Sequence, residues 1–486
     1  MKISSSRLIE ALNDQSLLRR TRGRIPAELT AITDDTRTVE KGGIFVAIKG
    51  ATRDGHHFSS EAAKKGAVAT IVEDESATSL PALVVTDGRR AAAIAACVAY
   101  DWPARALRLI GVTGTNGKTT TVAIVRHILD DAGAPAASVG TLGVFLGENR
   151  PLAGGNGLTT PGAIELQRLL RQLVDRGIRT VAMEVSSHSL DQHRVDGVTF
   201  DAAVYTNLTR DHLDYHQTME AYFSAKARLL GLLKPTGTAV INADAAEWRA
   251  LPSAKTTITY GIKSKADVRA EDVSLGASGS EWNLLHADSS ARVTLPLMGT
   301  PNVYNALAAS AAAIALGKTV GDCAEKLRAL PQIAGRLERI SENPVVLRDY
   351  AHTPDALERT LVSARQLTKG RLIVVFGCGG ERDRGKRPAM GEVAERLADV
   401  AVVTSDNPRT EDPDAIIDEI EQGMRGKHER VTDRRAAIEK ALRTANRDDL
   451  IVLAGKGHET YQIRGTDSFP FDEREIVADI KKSLNG

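Results

Sequence analysis

Residues 107–121 constrain this chain more than any other stretch. The apolar run Leu107-Arg108-Leu109-Ile110 leads directly into Gly111-Val112-Thr113-Gly114-Thr115-Asn116-Gly117-Lys118-Thr119-Thr120-Thr121. A strand passing through a glycine-rich turn into a helix start is the arrangement that cradles a nucleoside triphosphate. Gly114 and Gly117 let consecutive backbone N–H groups turn toward phosphate oxygens. Lys118 adds a full positive charge, and Thr119 offers a hydroxyl to Mg²⁺. The helix that follows, expected over residues 119–132, aims its positive dipole end at the same anion. Val112 stands where the usual loop has its first glycine, and the glycines fall at 111, 114 and 117 instead. The loop implies binding of ATP or GTP.

A length of 486 residues suggests about three domains. With 42% hydrophobic and 26% charged residues and a net charge of +1, composition gives no electrostatic ground for nucleic acid or an anionic membrane as partner. No apolar stretch approaches the ~18 residues of a membrane span, and the start of the chain lacks the apolar core of a signal peptide. Cys97, Cys323 and Cys378 lie too far apart for metal-ligand spacing or a disulfide framework. The expectation is a cytoplasmic, monomeric α/β protein.

Three units are expected. The first, residues 1–106, is a small α/β domain with strands at 43–48 and 67–72 and a helix over 90–100, which Asp101-Trp102-Pro103 breaks. The second, residues 107–333, carries the phosphate loop on a parallel sheet. Its strands are expected at 180–185 and 202–206 and its helices at 219–232 and 302–316, with short antiparallel strands over 264–294. The third, residues 334–486, is a Rossmann-like, doubly wound sheet with strands at 372–376, 400–404 and 450–454. Each is followed by a polar loop: Gly379-Gly380-Glu381-Arg382-Asp383-Arg384, Ser405-Asp406-Asn407-Pro408-Arg409 and Gly455-Lys456-Gly457-His458-Glu459. Ligands of such sheets sit beyond the carboxyl ends of the strands, so this unit is expected to hold a polar substrate.

In the central unit, Met183-Glu184-Val185-Ser186-Ser187-His188 ends a strand, so that Glu184 and Ser186 can face the nucleotide. From position alone Glu184 can hold Mg²⁺ or pair with a nearby lysine. The string Asn207-Leu208-Thr209-Arg210-Asp211-His212-Leu213-Asp214-Tyr215-His216 offers histidines and aspartates at no standard zinc spacing. Lys226, taken by residue type alone, is a solvent-facing helix lysine.

Together these strings resemble the Mur ligases, the amide-forming enzymes of peptidoglycan precursor synthesis. Besides the phosphate loop, the likeness rests on Glu184-Val185-Ser186-Ser187-His188, Asn207 to His212, Asn302-Val303-Tyr304-Asn305-Ala306, Gly335-Arg336-Leu337-Glu338 and Asp349-Tyr350-Ala351-His352-Thr353-Pro354-Asp355-Ala356-Leu357. It covers nearly the whole chain. It implies an N-terminal domain for the UDP-sugar, a central ATPase and a C-terminal amino-acid-binding domain. Gly114, Thr115, Asn116, Gly117, Lys118, Thr119 and Thr120 would hold ATP, with Asn302 and Arg336 reaching it across the domain junction. Thr119, Glu184, His212 and Lys226 would be the contacts of Mg²⁺, Lys226 as a carbamate formed from CO₂. Lys118, His212 and Lys226 would be the catalytic residues. A buried, neutral amine is what such a reaction needs.

The resemblance implies two further substrates. For a UDP-N-acetylmuramoyl dipeptide, Thr159, Thr160, Ser186, Gln192 and Arg194 fit the family pattern, although Leu158 stands where many relatives have Asn. Thr36 is a looser candidate for the uridine diphosphate. Asp406-Asn407-Pro408-Arg409 resembles the signature of members that accept meso-diaminopimelate, whose extra carboxylate a guanidinium can grip with two parallel hydrogen bonds. Arg382 is a second anion contact, Asp406 and Glu459 could hold ammonium groups, and Gly455 completes the set. The implied reaction is ATP-dependent ligation through an acyl phosphate. The rivals are lysine as acceptor, a sister amide ligase, a phosphotransferase and a nucleotide-binding scaffold.

Overall fold

The computed structural model describes residues 2–50, 53–154, 157–276 and 278–485. The described strands form three main sheets and two short ribbons, and no strand is shared between sheets.

The N-terminal sheet has the strand order Leu18–Arg22, Ala82–Val85, Ala69–Val72, Ile44–Val46, Ile32–Thr33, parallel except for its first pair. Helices Ser5–Asp14 and Gly88–Ala99 cover one face. The second helix ends one residue before the expected position. Asp101 and Trp102 then take positive φ values of 57° and 48°, which turns the chain out of the helix ahead of Pro103.

Eleven described strands make the central sheet, and the stretch from Ala136–Gly140 to Val268–Gly276 is parallel. The phosphate-loop strand, Arg108–Thr113, runs between Thr180–Glu184 and Phe200–Tyr205. Helices lie on both faces, which is why these strands are near-continuous apolar runs. Lys118–Leu129, Thr300–Ala315 and Val320–Arg328 cover one face, and Ala163–Asp175 and Met219–Ala227 the other. The turn-rich segment forms three antiparallel strands, Val268–Gly276, Gly279–His286 and Ser289–Leu295. Helix Met219–Ala227 is shorter than the expected 219–232. It tightens into a 3₁₀ turn over Arg228–Leu232, because Leu233 is drawn into the sheet opposite Phe200.

The C-terminal sheet has the order Glu338–Glu342, Val345–Asp349, Leu450–Ala454, Leu372–Phe376, Val400–Val403, Glu429–Arg430, parallel after the first pair. The last long strand in sequence inserts between the first and second parallel ones. The loops after Asp349, Phe376, Val403 and Ala454 therefore crowd one edge, as a doubly wound sheet requires. Among the described residues no helix is long and apolar enough to cross a membrane.

Candidate active site

The phosphate loop is held from several sides. Gly117 (φ +83°) starts helix Lys118–Leu129, and any Cβ there would run into Asn305 Oδ1. The loop after strand Phe200–Tyr205 grips it: Thr115 N donates to Asn207 O (2.8 Å), Asn116 N to Asn207 Oδ1 (3.0 Å) and Thr206 Oγ1 to Asn116 O (2.7 Å). Thr115 Oγ1 meets Thr209 O at 3.1 Å and the Tyr222 hydroxyl at 3.2 Å.

Two lysines converge on one carbonyl. Lys118 Nζ donates to Gly114 O (2.9 Å) and Thr115 O (2.8 Å), and Lys226 Nζ donates to the same Gly114 O at 2.9 Å. Lys226 is 1% exposed, which corrects the solvent-facing reading made from residue type. Its helix turns the Tyr222–Lys226 edge onto the loop, with the ammonium 4.4 Å from the Tyr222 ring centroid. Burial, reinforced by the charge of Lys118, drives the Lys226 amine well below the ordinary lysine range. Burial lowers Lys118 as well.

Three of the four residues expected around a metal share one cleft of about 630 Å³; Lys226 does not line it and is held instead at Gly114 O. Thr119, Glu184 and His212 line it, together with Asn116, Lys118, Asn302, Asn305 and Arg336. Glu184 accepts from Thr141 N (2.8 Å) and Thr141 Oγ1 (3.2 Å); among the described residues it forms no ion pair with a lysine. His212 packs edge-on to His188, with ring centroids 4.7 Å apart. Burial lowers the pKa of His212, and burial together with the charges of His212, His216 and Arg194 pushes His188 down to about 4. Both rings are therefore neutral at pH 7, the form in which imidazole donates a lone pair. Among the described residues no group of three or more His, Cys, Asp and Glu side chains is built to hold a metal alone. The Thr119 hydroxyl and the Glu184 carboxylate are oxygen donors of the kind Mg²⁺ takes, an ion that keeps waters and draws its remaining ligands from phosphate.

Arg336 reaches over from the C-terminal domain. Its Nη2 donates to Thr119 Oγ1 (3.0 Å), its guanidinium lies 5.0 Å from the Tyr350 ring centroid, and its buried Nε has no partner among the described residues. Asn302 donates to Met298 O (2.8 Å) and accepts from Asn305 Nδ2 (3.2 Å). A second bridge went unnoticed in the sequence. Asp355 Oδ2 accepts from Asn116 Nδ2 (2.6 Å) and Thr209 Oγ1 (3.0 Å), tying the C-terminal domain to the phosphate loop. Asp244 was missed too. It lines the cleft, and four donors (Lys263 N, Ile262 N, Ser264 N and the Tyr304 hydroxyl) converge on it. Burial works to raise its pKa, but these bonds hold it at about 2.

The dipeptide candidates form one network. Thr160 Oγ1 donates to Glu184 O (2.9 Å) and accepts from Ser186 N (3.1 Å), while Arg194 Nη1 donates to Thr160 O (3.0 Å) and Nη2 to Gln192 Oε1 (2.6 Å). Thr159 joins through Thr141 (3.1 Å). Thr36 stands apart, donating to Glu61 within the N-terminal domain at 2.9 Å. The acceptor candidates meet at the C-terminal sheet edge. Arg409, at φ +52°, donates from Nη1 to Gly380 O (2.7 Å), leaving Nε and Nη2 for a ligand. Asn407 Nδ2 donates to Glu459 Oε2 (2.8 Å), Pro408 is buried beside them, and Arg382 is exposed at the rim. Gly455 (φ +113°) is needed because a Cβ there would collide with Asp406 Oδ2.

Comparison with known proteins bears on this arrangement. Residues 28–104 match the Mur ligase family catalytic domain, 112–313 the Mur ligase middle domain, and 335–457 the Mur ligase glutamate ligase domain. The chain is 44% identical over 463 residues to the UDP-N-acetylmuramoyl-L-alanyl-D-glutamate–2,6-diaminopimelate ligase of Geobacillus kaustophilus, covering 93% of this chain and 94% of that one. Identity to the like-named protein of Geobacter metallireducens is 43%, covering 95% and 96%. A solved structure of that name matches at a TM-score of 0.69 and 33% identity over 100% of each chain. The MurF ligase of Thermotoga maritima in complex with ADP shares the fold, with a TM-score of 0.66 at 20% identity over 94% and 98%.

Proposed function

This chain belongs to the Mur ligase family, and from that premise we propose that it joins meso-diaminopimelate to the D-glutamyl carboxylate of UDP-N-acetylmuramoyl-L-alanyl-D-glutamate at the expense of ATP. The observation that carries this reading is the acceptor edge. Full-length similarity to diaminopimelate ligases coincides with an Asp406–Arg409 loop in which Asp406 and Asn407 are buried and the Arg409 guanidinium is anchored at Gly380 O.

The chemistry runs in two steps. The substrate carboxylate attacks the γ-phosphorus of ATP, ADP leaves, and an acyl phosphate forms. The diaminopimelate amine then attacks the acyl carbon and phosphate leaves, with one proton released. Lys118 and the backbone N–H groups of the loop offset the charge that develops on the transferring phosphoryl oxygens. Arg336 and Asn302 position the nucleotide, and Thr159, Thr160, Ser186, Gln192 and Arg194 bring the carboxylate up to it. Mg²⁺, held by Thr119, Glu184, His212 and a carbamylated Lys226, would supply further neutralisation of phosphate charge. Burial and the neighbouring Lys118 charge make the Lys226 ammonium easier to deprotonate, and the neutral amine is the form that captures CO₂. Arg409 and Arg382 grip the distant carboxylate of diaminopimelate, while Asp406 and Glu459 take its ammonium. An arginine that expects a carboxylate rejects lysine, because the charge would be left unpaired. We place the reaction in the cytoplasm, carried out by a monomer whose domains divide at residues 106 and 333.

Phosphate release with the UDP-dipeptide and ATP, comparing meso-diaminopimelate with L-lysine, tests the proposal. Release with diaminopimelate alone is expected. A preference for lysine would overturn the role of Arg409, and no release with either would overturn the ligase itself.

A further inference from the structure

Lys456 has no part in the reaction as set out above, yet it is fully buried (0% exposed) beneath the acceptor loops. A buried ammonium is costly unless it is paired and hydrogen-bonded. Lys456 Nζ donates to Asn407 Oδ1 (3.0 Å) and Glu459 Oε2 (3.4 Å) and lies 3.9 Å from Asp406 Oδ1. Its remaining surroundings are the rings of Tyr461 and Phe471, each with its centroid 5.8 Å away. Asn407 Oδ1 also accepts from Ile463 N (3.0 Å), and Asp406 O accepts from Gln462 Nε2 (2.7 Å). One ammonium thus links the loop after strand Val400–Val403 to the loop after strand Leu450–Ala454.

The charges can be counted. Among the buried and half-buried groups of this edge, Asp406 and Glu459 contribute two negative charges and Arg409 alone would answer one of them, since Arg382 stands exposed at the rim where water screens its charge. With Lys456 the edge is balanced, which matches the far end of an amino acid carrying both an ammonium and a carboxylate. Without it the edge is left net negative, which suits a lone ammonium better.

We propose that Lys456 is the positioning residue that sets acceptor specificity, drawing Asp406, Asn407 and Glu459 onto one surface and balancing their charge against a zwitterionic ligand end. The proposal rests on the reading of this edge as the diaminopimelate site. It has a titration consequence. The groups facing Glu459 are Lys456, Asp406 and Asn407, with Tyr350 and Tyr461 alongside and Arg409 beyond Tyr461. Burial raises the Glu459 pKa, Lys456 counteracts that, and Asp406 adds to it. Removing Lys456 lets Glu459 keep its proton to higher pH, and removing the Asp406 charge does the reverse.

Steady-state kinetics on the full chain test this with Lys456→Met and Asp406→Asn. Lys456→Met is expected to raise KM for meso-diaminopimelate about tenfold or more, the loss of a hydrogen-bonded charge. KM for ATP and for the UDP-dipeptide should stay within about twofold, since the residues proposed to hold them lie elsewhere and none of this edge lines the nucleotide cleft. Selectivity for diaminopimelate over L-lysine should fall, and the acid limb of kcat/KM for diaminopimelate should move to higher pH. Asp406→Asn should move that limb to lower pH. Parallel loss toward all three substrates with an unmoved limb would leave Lys456 a packing residue and overturn the proposal, as would an unchanged KM for diaminopimelate. If Lys456→Met fails to fold, judged by binding of an ATP analogue, the limb of Asp406→Asn decides, and a limb that stays in place overturns it. A wild-type chain that releases no phosphate with diaminopimelate defeats the proposed function instead, so the two failures are distinct.

Discussion

Two ammonium groups cannot comfortably share a carbonyl, and at Gly114 O the cost falls on Lys226. Lys226→Ala should therefore abolish ligation, by about 100-fold or more if it removes a charge that stabilises the transition state. ATP binding should be retained, and a small carboxylic acid should restore part of the rate. A fully active variant needing no rescue would end the carbamate reading. Asp244 gives a second residue-level prediction. Its folded pKa of about 2 lies below the unfolded value of 3.8, so its stabilising contribution is present above about pH 4 and is lost as pH falls toward 2. Asp244→Asn should lower stability at pH 7 by about 1–2 kcal/mol, after allowance for partial exposure. In denaturant titrations the gap from wild type should close below pH 4; a gap that persists there would contradict the assignment. Lys226 and Asp244 also mark how far sequence could reach. The burial of Lys226 depends on which helix edge meets the loop, and residue type favours the opposite answer. Asp244 sits in no motif; three of its four donors come from a turn some twenty residues later and the fourth, Tyr304, from a helix further on.

At the scale of elements, the strand–loop–helix at 108–129 and three strands of the C-terminal sheet, expected at 372–376, 400–404 and 450–454, were legible, because parallel strands buried on both faces are unbroken apolar runs. Strands Glu338–Glu342, Val345–Asp349 and Glu429–Arg430 were not. The shortened helix Met219–Ala227 was not, because strand pairing at Leu233 overrides local helix preference. Contacts between elements distant in sequence were the least visible. The bond from Asn116 to Asp355 spans 239 residues and follows no local pattern. It joins the start of helix Pro354–Arg365 to the phosphate loop, with Arg359 holding Asp355 from one turn further along at 3.0 Å. Asp355→Ala removes two bonds between domains, each worth about 1 kcal/mol net. A fall of about tenfold or more in kcat/KM for ATP is expected, with the melting temperature nearly unchanged. A large drop in melting temperature with an intact kcat/KM would instead make Asp355 a purely structural residue.

At the scale of the whole molecule, the proposed reaction has ATP and the amino acid handled by different domains, which meet at Arg336–Thr119 and Asp355–Asn116. Bringing amine and acyl phosphate together in a closed cleft supplies proximity and keeps water from the intermediate. An ATP analogue with the UDP-dipeptide should therefore compact the protein, and small-angle scattering profiles that do not change on adding both would count against closure. The three main sheets share no strand, and every acceptor candidate lies on a loop of the C-terminal one. On the proposed assignment, phosphoryl chemistry and choice of amino acid are thus separable units of inheritance. A lineage can acquire a different cross-linking residue by exchanging a few loop positions while its ATP machinery stays as it was.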